Sequence, residues 1–410
     1  MSLVRFLPKP SDRMGIIWSL LTVTGSIILE YGPAGTTHYS MGLYGGLGLR
    51  FQNRLFTTHL SEDDVVMGDV SRLEEALVEL DKAYAPKVIF VVASSVTAVI
   101  GTDIKGVCRY MQNEVKAKLV AFEQGGFRGD YSIGVLETCK LLVKNLPRKN
   151  VSVEKGCYNL IGASMWRYRM NSDVWEVKNL LAEALGLHCN ACLCCDTSVE
   201  EIEEMGKAQL NIVIGNEGIA AAEILKEKFG TPYVYAVPYG YDGTAKFLET
   251  VGEAIGETPN PLTLMRIRMK GKGMGMLSMF ALMGGGKVKP KAVVMGDYDM
   301  VKGVSDFLKA AGVKVEAAFC AHSTKNIKGA DPSVKACHDE KDWLEVVKPL
   351  EHTLVLADDV VLLQCNATNT KVLISAPYLK GAQVASHLPF MGEKGADFLL
   401  EKIQEYYQSF

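Results

Sequence analysis

KVIFVVASSVTAVIGTDI, residues 87–104, opens with one lysine and six apolar residues and then turns abruptly polar at Ser94-Ser95. An unbroken run of β-branched and aromatic residues suits a strand covered on both faces, as parallel strands are. The polar loop passes Gly101 and Asp103 and enters a segment, 103–115, whose spacing predicts a helix. A chain that repeats strand, loop and helix in this order builds a parallel sheet.

The repetition runs outward from there. Residues 27–31 read as a strand ending in the turn Gly32-Pro33-Ala34-Gly35, and 72–85 as a helix with Leu73, Ala76, Leu77 and Leu80 on one stripe. Residues 117–122 read as a strand and 133–146 as a helix. The pattern restarts with strands 157–163, 188–194, 210–214 and 233–237, separated by helices 174–185, 198–205 and 219–229 and followed by helix 244–255. It restarts again with strands 291–295, 314–319 and 371–374, helices 300–311 and 341–347, and a final helix 395–407. Three such sets predict an α/β fold of three Rossmann-like domains with small parallel sheets. The divisions fall at 1–150, 151–285 and 286–410, the last with the C-terminal helix.

Composition agrees. At roughly 150 residues per domain, 410 residues make two or three domains. Hydrophobic residues at 48% against 22% charged indicate packed cores rather than extended disorder. The 44 basic and 47 acidic residues give a net charge of −3, without the basic excess of a nucleic-acid binder. The longest uncharged stretch, 14–29, is broken by Ser19, Thr22, Thr24, Gly25 and Ser26 and falls short of the ~20 apolar residues of a membrane span. Arg5, Lys9 and Arg13 precede it as in a signal peptide, but no small-x-small cleavage site follows. No membrane association is expected. The ten cysteines form no regular framework and read as thiols in a reducing cytoplasm. Residues 258–296 hold no acid and seven basic residues, Arg266, Arg268, Lys270, Lys272, Lys287, Lys289 and Lys291, broken by Gly284-Gly285-Gly286. They read as helical segments bridging the second and third domains, with the charges on a solvated face or at an anion.

Ligands of open α/β folds bind at the carboxyl ends of the strands. Three loops in the first domain stand there: GPAGT (32–36), SSVTAVIGTDI (94–104) and GGFRG (125–129). Each alone is an ordinary βα turn. Together, YGPAGT, TTHLSEDDVVMGDVSRLEEAL, IGTDIKGV and GGFRGDYSIG, in this order, resemble the first domain of nitrogenase component 1. That superfamily takes in the nitrogenase α and β subunits, the cofactor-assembly scaffold proteins and the dark-operative protochlorophyllide reductase subunits. The resemblance continues through 185–214 and KFGTPY (228–233), and more weakly through 291–319 and 387–395.

The resemblance implies three Rossmann-like domains around a central cleft. It implies a homologous subunit or a second copy as partner, and a 4Fe-4S cluster at that interface, fed by an ATP-dependent iron protein. It places Gly32, Pro33, Gly35, Thr36, Ser95, Gly101, Asp103, Gly126, Phe127 and Gly129 at the cluster-site walls, and His387 near the family's C-terminal cofactor histidine. This chain departs from the pattern where thiols are needed. Thr36, Ser95 and Ser11 stand where members carry interface cysteines, and Gly215 stands where the nitrogenase metallocluster takes its cysteine. Hydroxyls do not substitute for cluster thiolates. The expectation is an oxidoreductase subunit that does not itself reduce dinitrogen, whose partner supplies most cluster ligands. The alternative is a cluster-free scaffold or binding protein for a tetrapyrrole or metallocofactor.

Two further sets carry reactive groups. Cys189, Cys192, Cys194 and Cys195 put four thiols in seven residues, as in metal sites. On an extended strand they point to opposite faces, so buried apolar thiols are the expectation, with Cys194 and Cys195 at the cleft as the alternative. Glu123, Asp103 and Asp130 are candidate general acids near strand ends, and His38 and His59 flank the first loops.

Overall fold

The computed structural model describes residues 9–38, 54–283, 290–337, 339–376 and 387–408, with the side chains of 275–283 left aside. Among these, three wholly parallel sheets follow one another along the chain. The first orders its strands Leu55–Thr57, Ser26–Tyr31, Val88–Ala93, Lys118–Phe122. The second runs Tyr233–Tyr235, Ala208–Val213, Glu154–Ile161, His188–Cys192. The third runs Val334–Ala336, Lys314–Cys320, Lys291–Gly296, Leu354–Ala357, Thr370–Leu373. A two-stranded pair, Val23–Thr24 with Thr197–Ser198, ties the first unit to the second.

Strand alternation sorts the side chains between cores. In the first sheet Ile27, Leu29, Ile89 and Val91 face a private core with Leu73 and Leu77. Ile28, Phe90, Val92 and Phe122 face the other way, into a core shared with the second and third sheets. The third sheet divides likewise, Val293 and Val355 outward and Val294 and Leu356 inward. The second sheet packs both its faces into the shared core, through Tyr158, Leu160, Ile161, Leu210, Ile212 and Val213. The three units are therefore fused through one continuous apolar interior.

The uncharged stretch 14–29 belongs to that interior. Asp12–Leu21 is a helix with every residue buried, and the chain then turns into the strand Ser26–Tyr31. Its Trp18 ring stacks on Trp166 of the second unit, centroids 3.8 Å apart and planes 3° from parallel. Such a pair contributes about 0.5–1.5 kcal/mol beyond its area burial. Among the described residues no helix is long and apolar enough to cross a membrane. The short strands Leu55–Thr57, Val334–Ala336 and Leu354–Ala357 escape sequence reading, because three or four residues carry too little periodicity.

The basic stretch forms the 23-residue helix Pro261–Met283. Its cations lie on a solvent-exposed face, as one expectation had it, and three of them are paired there with carboxylates. Arg266 pairs with Glu183 (2.7 Å) and Glu393 (2.9 Å), Arg268 with Glu249, and Lys270 with Glu393 (2.9 Å) and Asp397 (2.7 Å). The absence of acids in the sequence window is answered by acids on neighbouring helices. Lys287, Lys289 and the triple glycine lie outside the described residues.

The C-terminal helix Gly392–Gln408 returns to the second unit, and Asp173 holds its approach. Asp173 Oδ1 accepts the N–H groups of Phe390 (2.6 Å) and Met391 (2.8 Å). Burial outweighs these bonds and pushes the Asp173 carboxyl from 3.8 up to about 7. Between those values the native state keeps a proton that the unfolded chain has released, so this group's contribution to stability falls as pH rises through the window. Asp173→Asn keeps the accepting oxygen and cannot ionise. Its melting temperature relative to wild type should rise between pH 3.8 and about 7 and stay level above, which a thermal scan across pH reads directly.

Candidate functional site

In each sheet the strand order reverses between two neighbours, and the crevice at the carboxyl ends there is the ligand position of open α/β sheets. In the first sheet the neighbours are Ser26–Tyr31 and Val88–Ala93, which sets Gly32 against Ser94. A Cβ on Gly32 would overlap the Ser94 side chain and lie 3.5 Å from Thr36 Oγ1. Thr58 Oγ1 accepts the Gly32 N–H (3.1 Å), and Thr36 Oγ1 donates to the Pro33 carbonyl (2.8 Å). Behind this loop Arg13 and Glu30 form a buried ion pair, and Thr37 Oγ1 donates to Glu30 Oε2 (2.7 Å).

The third loop closes on the same place. A Cβ on Gly126 would stand 3.2 Å from Ser11 Oγ and 3.6 Å from Ser95 Oγ. The structure thus brings Ser11, Gly32, Thr36, Ser95 and Gly126 to one edge of the first unit. Phe127 and Val99 project beside them, 68% and 71% exposed. Pro33 is half-buried and Gly35 exposed. Gly129 accepts the Asp12 N–H through its carbonyl (3.0 Å).

Other predicted residues are committed elsewhere. Gly101 ends the helix Ser95–Ile100, and the Asp103 carboxylate caps Ile104–Met111 by accepting the Gly106 N–H (2.7 Å). Glu123 is exposed on the flank, by a hollow it shares with Arg109 and Lys144. His38 and His59 are exposed, and His59 accepts Arg72 through its carbonyl (3.4 Å). His387 is exposed just before Leu388, whose carbonyl accepts Arg169 Nη1 (3.3 Å).

The donor chemistry tests the implied cluster. Ser11, Thr36 and Ser95 offer hydroxyls, and no cysteine of the described residues lies in the three loops. Cys108, nearest along the chain, is buried with its thiol pushed up to about 12, by burial first and then by Asp103 and Glu123. These residues do not fit an iron–sulfur cluster held by this chain alone.

The second and third sheets present their crevices to a common junction, of which sequence reading names only Gly215 and Asp130. Arg167 lies in the loop after Glu154–Ile161, and Glu217 follows Ala208–Val213. Asp297 and Asp299 follow Lys291–Gly296, and His322 follows Lys314–Cys320. Arg167 Nη2 binds Glu217 Oε2 at 2.6 Å, Nη1 donates to the Gly162 carbonyl at 3.2 Å, and Nε is 3.6 Å from Asp297 Oδ2. Tyr131 from the first unit donates to Asp297, and Tyr235 donates to Asp299. Burial first, then those carboxylates, push both phenols well up. Asp299 Oδ2 also accepts the Asn216 N–H (2.8 Å). Asp130 Oδ2 accepts the Ser323 N–H (2.7 Å), so this candidate acid clamps the first unit to the third.

His322 completes the cluster. Burial disfavours its charge, yet Cys320, Glu217 and Asp297 together outweigh burial and by themselves would raise the imidazole from 6.5 to about 10. The hydrogen bonds decide the matter: Nε2 accepts the Tyr298 N–H (3.1 Å) and Nδ1 faces the Ser323 carbonyl (3.2 Å). A proton on Nε2 would point at another N–H, so the ring is neutral with its proton on Nδ1.

This junction fills the space a metallocluster ligand would need. Gly162 and Gly215 touch backbone to backbone, and a Cβ on Gly215 would overlap the Gly162 carbonyl and lie 2.8 Å from Arg167 Nη1. A cysteine there has no room. The signal in the sequence was a charged residue a few positions beyond each strand.

The four clustered cysteines do not converge. The strand ends at Cys192, not Cys194, because Cys194 (φ 64°) and Asp196 (φ 54°) turn the chain through left-handed backbone. Cys194 Sγ meets Cys139 Sγ at 3.5 Å, Cys195 Sγ meets Met165 Sδ at 3.3 Å, and Cys189 Sγ reaches the Ala191 carbonyl. A hydrogen bond with Cys195, then burial, pushes the Cys192 thiol well up. These are packed thiols rather than a metal-binding set.

Three carboxylates face one guanidinium at the junction, which fixes an order of sensitivities. Removing the cation strands buried negative charge, at about 3–5 kcal/mol. Removing one carboxylate's charge relieves part of the excess. Arg167→Met should therefore destabilise the protein markedly more than Glu217→Gln, as compared by urea denaturation; the reverse order would contradict the charge balance.

Sequence comparison matches the family model "Nitrogenase component 1 type Oxidoreductase" over residues 11–406. The NifE nitrogenase iron-molybdenum cofactor biosynthesis protein of Clostridium pasteurianum is 28% identical over 270 residues, 61% of this chain and 58% of that protein. The NifE protein of Nostoc sp. is 26% identical over 96% of this chain and 82% of its own length. A light-independent protochlorophyllide reductase subunit of Heliobacterium modesticaldum is 26% identical over 62% of this chain and 48% of that protein. This chain thus spans about half the length of several relatives it matches. Among solved structures, "Nitrogenase Cp1 at pH 6.5" superposes with a TM-score of 0.79 at 16% identity, covering 100% of this chain and 94% of that one, a likeness of fold. With the family model spanning all three sheets and the junction between them, the chain belongs to the nitrogenase component 1 type oxidoreductase family.

Proposed function

We propose that this chain is one subunit of a component 1-type oxidoreductase assembly and docks a homologous subunit, or a second copy, through the first-unit edge. The carrying observation is the meeting of Ser11, Ser95 and Gly126 beside the exposed Phe127 and Val99. Large apolar side chains at such exposure are suited to burial against a partner. Gly126 lets backbone or ligand approach closely. Relatives that are themselves a chain of the nitrogenase molybdenum-iron protein and a subunit of protochlorophyllide reductase support a multi-subunit setting.

In this reading the chain supplies walls rather than ligands. Any 4Fe-4S cluster at the interface takes its thiolates from the partner, and electrons arrive from an iron-protein ATPase. The chain does not reduce dinitrogen, because Gly215 leaves no place for a ligand and Arg167 fills the junction. Phe127→Asp should abolish co-purification with the homologous subunit while leaving the melting temperature within about 2 °C, since an exposed substitution costs little. Iron and acid-labile sulfide, measured anaerobically, should appear with the partner and not in the chain alone. Iron together with acid-labile sulfide in the chain alone would refute the assignment of walls.

One observation favours the cluster-free binding role. Between the second and third units lies a cavity of about 520 Å³ lined by Tyr235, Tyr239, Lys246, Met274 and Lys328, with Asp242, Asp299 and Asp306 also in its wall and Lys302 paired to Asp306. Its size suits a small-molecule ligand, and Lys246 and Lys328, beside aromatic and thioether surface, are the cations that would meet the carboxylates of a flat tetrapyrrole. Lys246→Glu with Lys328→Glu should weaken binding of a polycarboxylate porphyrin at least about tenfold, a cost of about 1.4 kcal/mol or more. Fluorescence quenching would show it, and unchanged affinity would remove this role.

A further inference from the structure

We propose a divalent transition-metal site of the zinc class, formed by Glu154, Cys157 and His188 at the amino-terminal edge of the second sheet. One carboxylate oxygen, the thiol and one imidazole nitrogen all lie within 4.8 Å of one another. His188 Nε2 and Glu154 Oε1 are 3.2 Å apart. Two ligands bound to a tetrahedral zinc at about 2.0–2.1 Å stand about 3.3 Å from each other. That edge of the site is already set.

The backbone makes the constellation. Cys157 and His188 are register partners on adjacent parallel strands, so their side chains stand together. Glu154, three residues before Cys157, would point to the opposite face of a regular strand. The strand is not regular there. Glu154 pairs with Ala208 and Tyr158 with Leu210, leaving Lys155, Gly156 and Cys157 opposite Gln209 alone. Gly156 turns the bulge at φ 83°, and its N–H is held by Gln209 Oε1 (3.1 Å). Bulges re-aim side chains, and this one aims Glu154 at His188.

An exposed histidine–glutamate pair explains two of the three groups. It does not explain the thiol beneath them. Cys157 is 2% exposed, while the His188 and Glu154 side chains are 54% and 56% exposed. An ion bound there would rest on a buried sulfur and keep a solvent-facing fourth position, as three-ligand zinc sites do. Sulfur and imidazole donors select zinc or cobalt over magnesium or calcium. The neighbouring Lys207 is occupied by Glu204 (2.6 Å). The site lies at the opposite strand ends from the three-unit junction, so it stands or falls apart from the proposed function.

The test uses the full chain, stripped with chelator and titrated with Co²⁺. Expected are tetrahedral visible bands and a thiolate-to-cobalt charge-transfer band that saturate at a single equivalent and are bleached by Zn²⁺. Cys157→Ser should lose the charge-transfer band, and Cys189→Ser, the next thiol on the neighbouring strand, should keep it. His188→Ala and Glu154→Gln, both at exposed positions, should each weaken Co²⁺ binding at least about tenfold. An octahedral spectrum in the wild type, a charge-transfer band surviving in Cys157→Ser, or unchanged affinity in both His188→Ala and Glu154→Gln would overturn the proposal. The last two variants decide it even if Cys157→Ser does not fold.

Discussion

Arg167 carries a full charge into the place where the strand ends of the second and third sheets meet and the first unit touches both. A guanidinium cannot be stripped of water unless its donors find acceptors. Glu217, from a loop 50 residues on, and the Gly162 carbonyl of its own loop accept its hydrogen bonds, and Asp297 stands 3.6 Å away as a further counter-charge. The carboxylates are fixed in turn. Asp297 takes the Tyr131 hydroxyl from the first unit, and the nearby Asp299 takes Tyr235 and Asn216 from the second. The geometry tolerates little displacement, because a shift of one unit would leave buried charge unmatched. The relative placement of the three sheets depends on this network and on the continuous apolar core behind it.

That network also divides the molecule by function. It occupies the cleft that three Rossmann-like units would otherwise enclose, so chemistry there would require displacing a satisfied set of buried ions. Of the remaining sites, the cavity between the second and third units borders it through Tyr235 and Asp299, and the others lie outside it. The first-unit edge offers hydroxyls and exposed apolar side chains. The cavity between the second and third units offers lysines and tyrosines, and the opposite end of the second sheet offers sulfur, imidazole and carboxylate.

Much of the fold was legible because long, fully buried parallel strands are written as unbroken apolar runs. Val88–Ala93 and Lys291–Gly296 need no partner to be recognised. Short edge strands such as Leu55–Thr57 were not legible, since their extension comes from pairing with a neighbour. The second loop of the first unit meets both the first and the third at one edge, because all three follow strands of a single parallel sheet. Asp103 reads as a site residue because a carboxylate after a strand looks the same whether it caps a helix or faces a ligand. The cysteine cluster reads as buried because thiols in an apolar run pack as small hydrophobes, though its strand stops two residues early, at the left-handed turn of Cys194.

The charges at the junction escape sequence reading for a physical reason. Arg167, Glu217, Asp297 and His322 are separate single residues along the chain, each ordinary for a loop. Their meaning arises from convergence, and convergence is a property of how three sheets pack. The same holds for the basic helix Pro261–Met283, whose counter-charges sit on other helices, and for Glu154, which reaches His188 through a bulge. Periodicity and residue chemistry are local, so the β/α units and the lack of thiols in the three first-unit loops can be read from the order of residues. Which charges are buried together, the lack of room for a side chain at Gly215 and the assembly of Glu154, Cys157 and His188 can be read only from the packed molecule. Those features depend on distances between segments, and no local stretch of chain encodes such a distance.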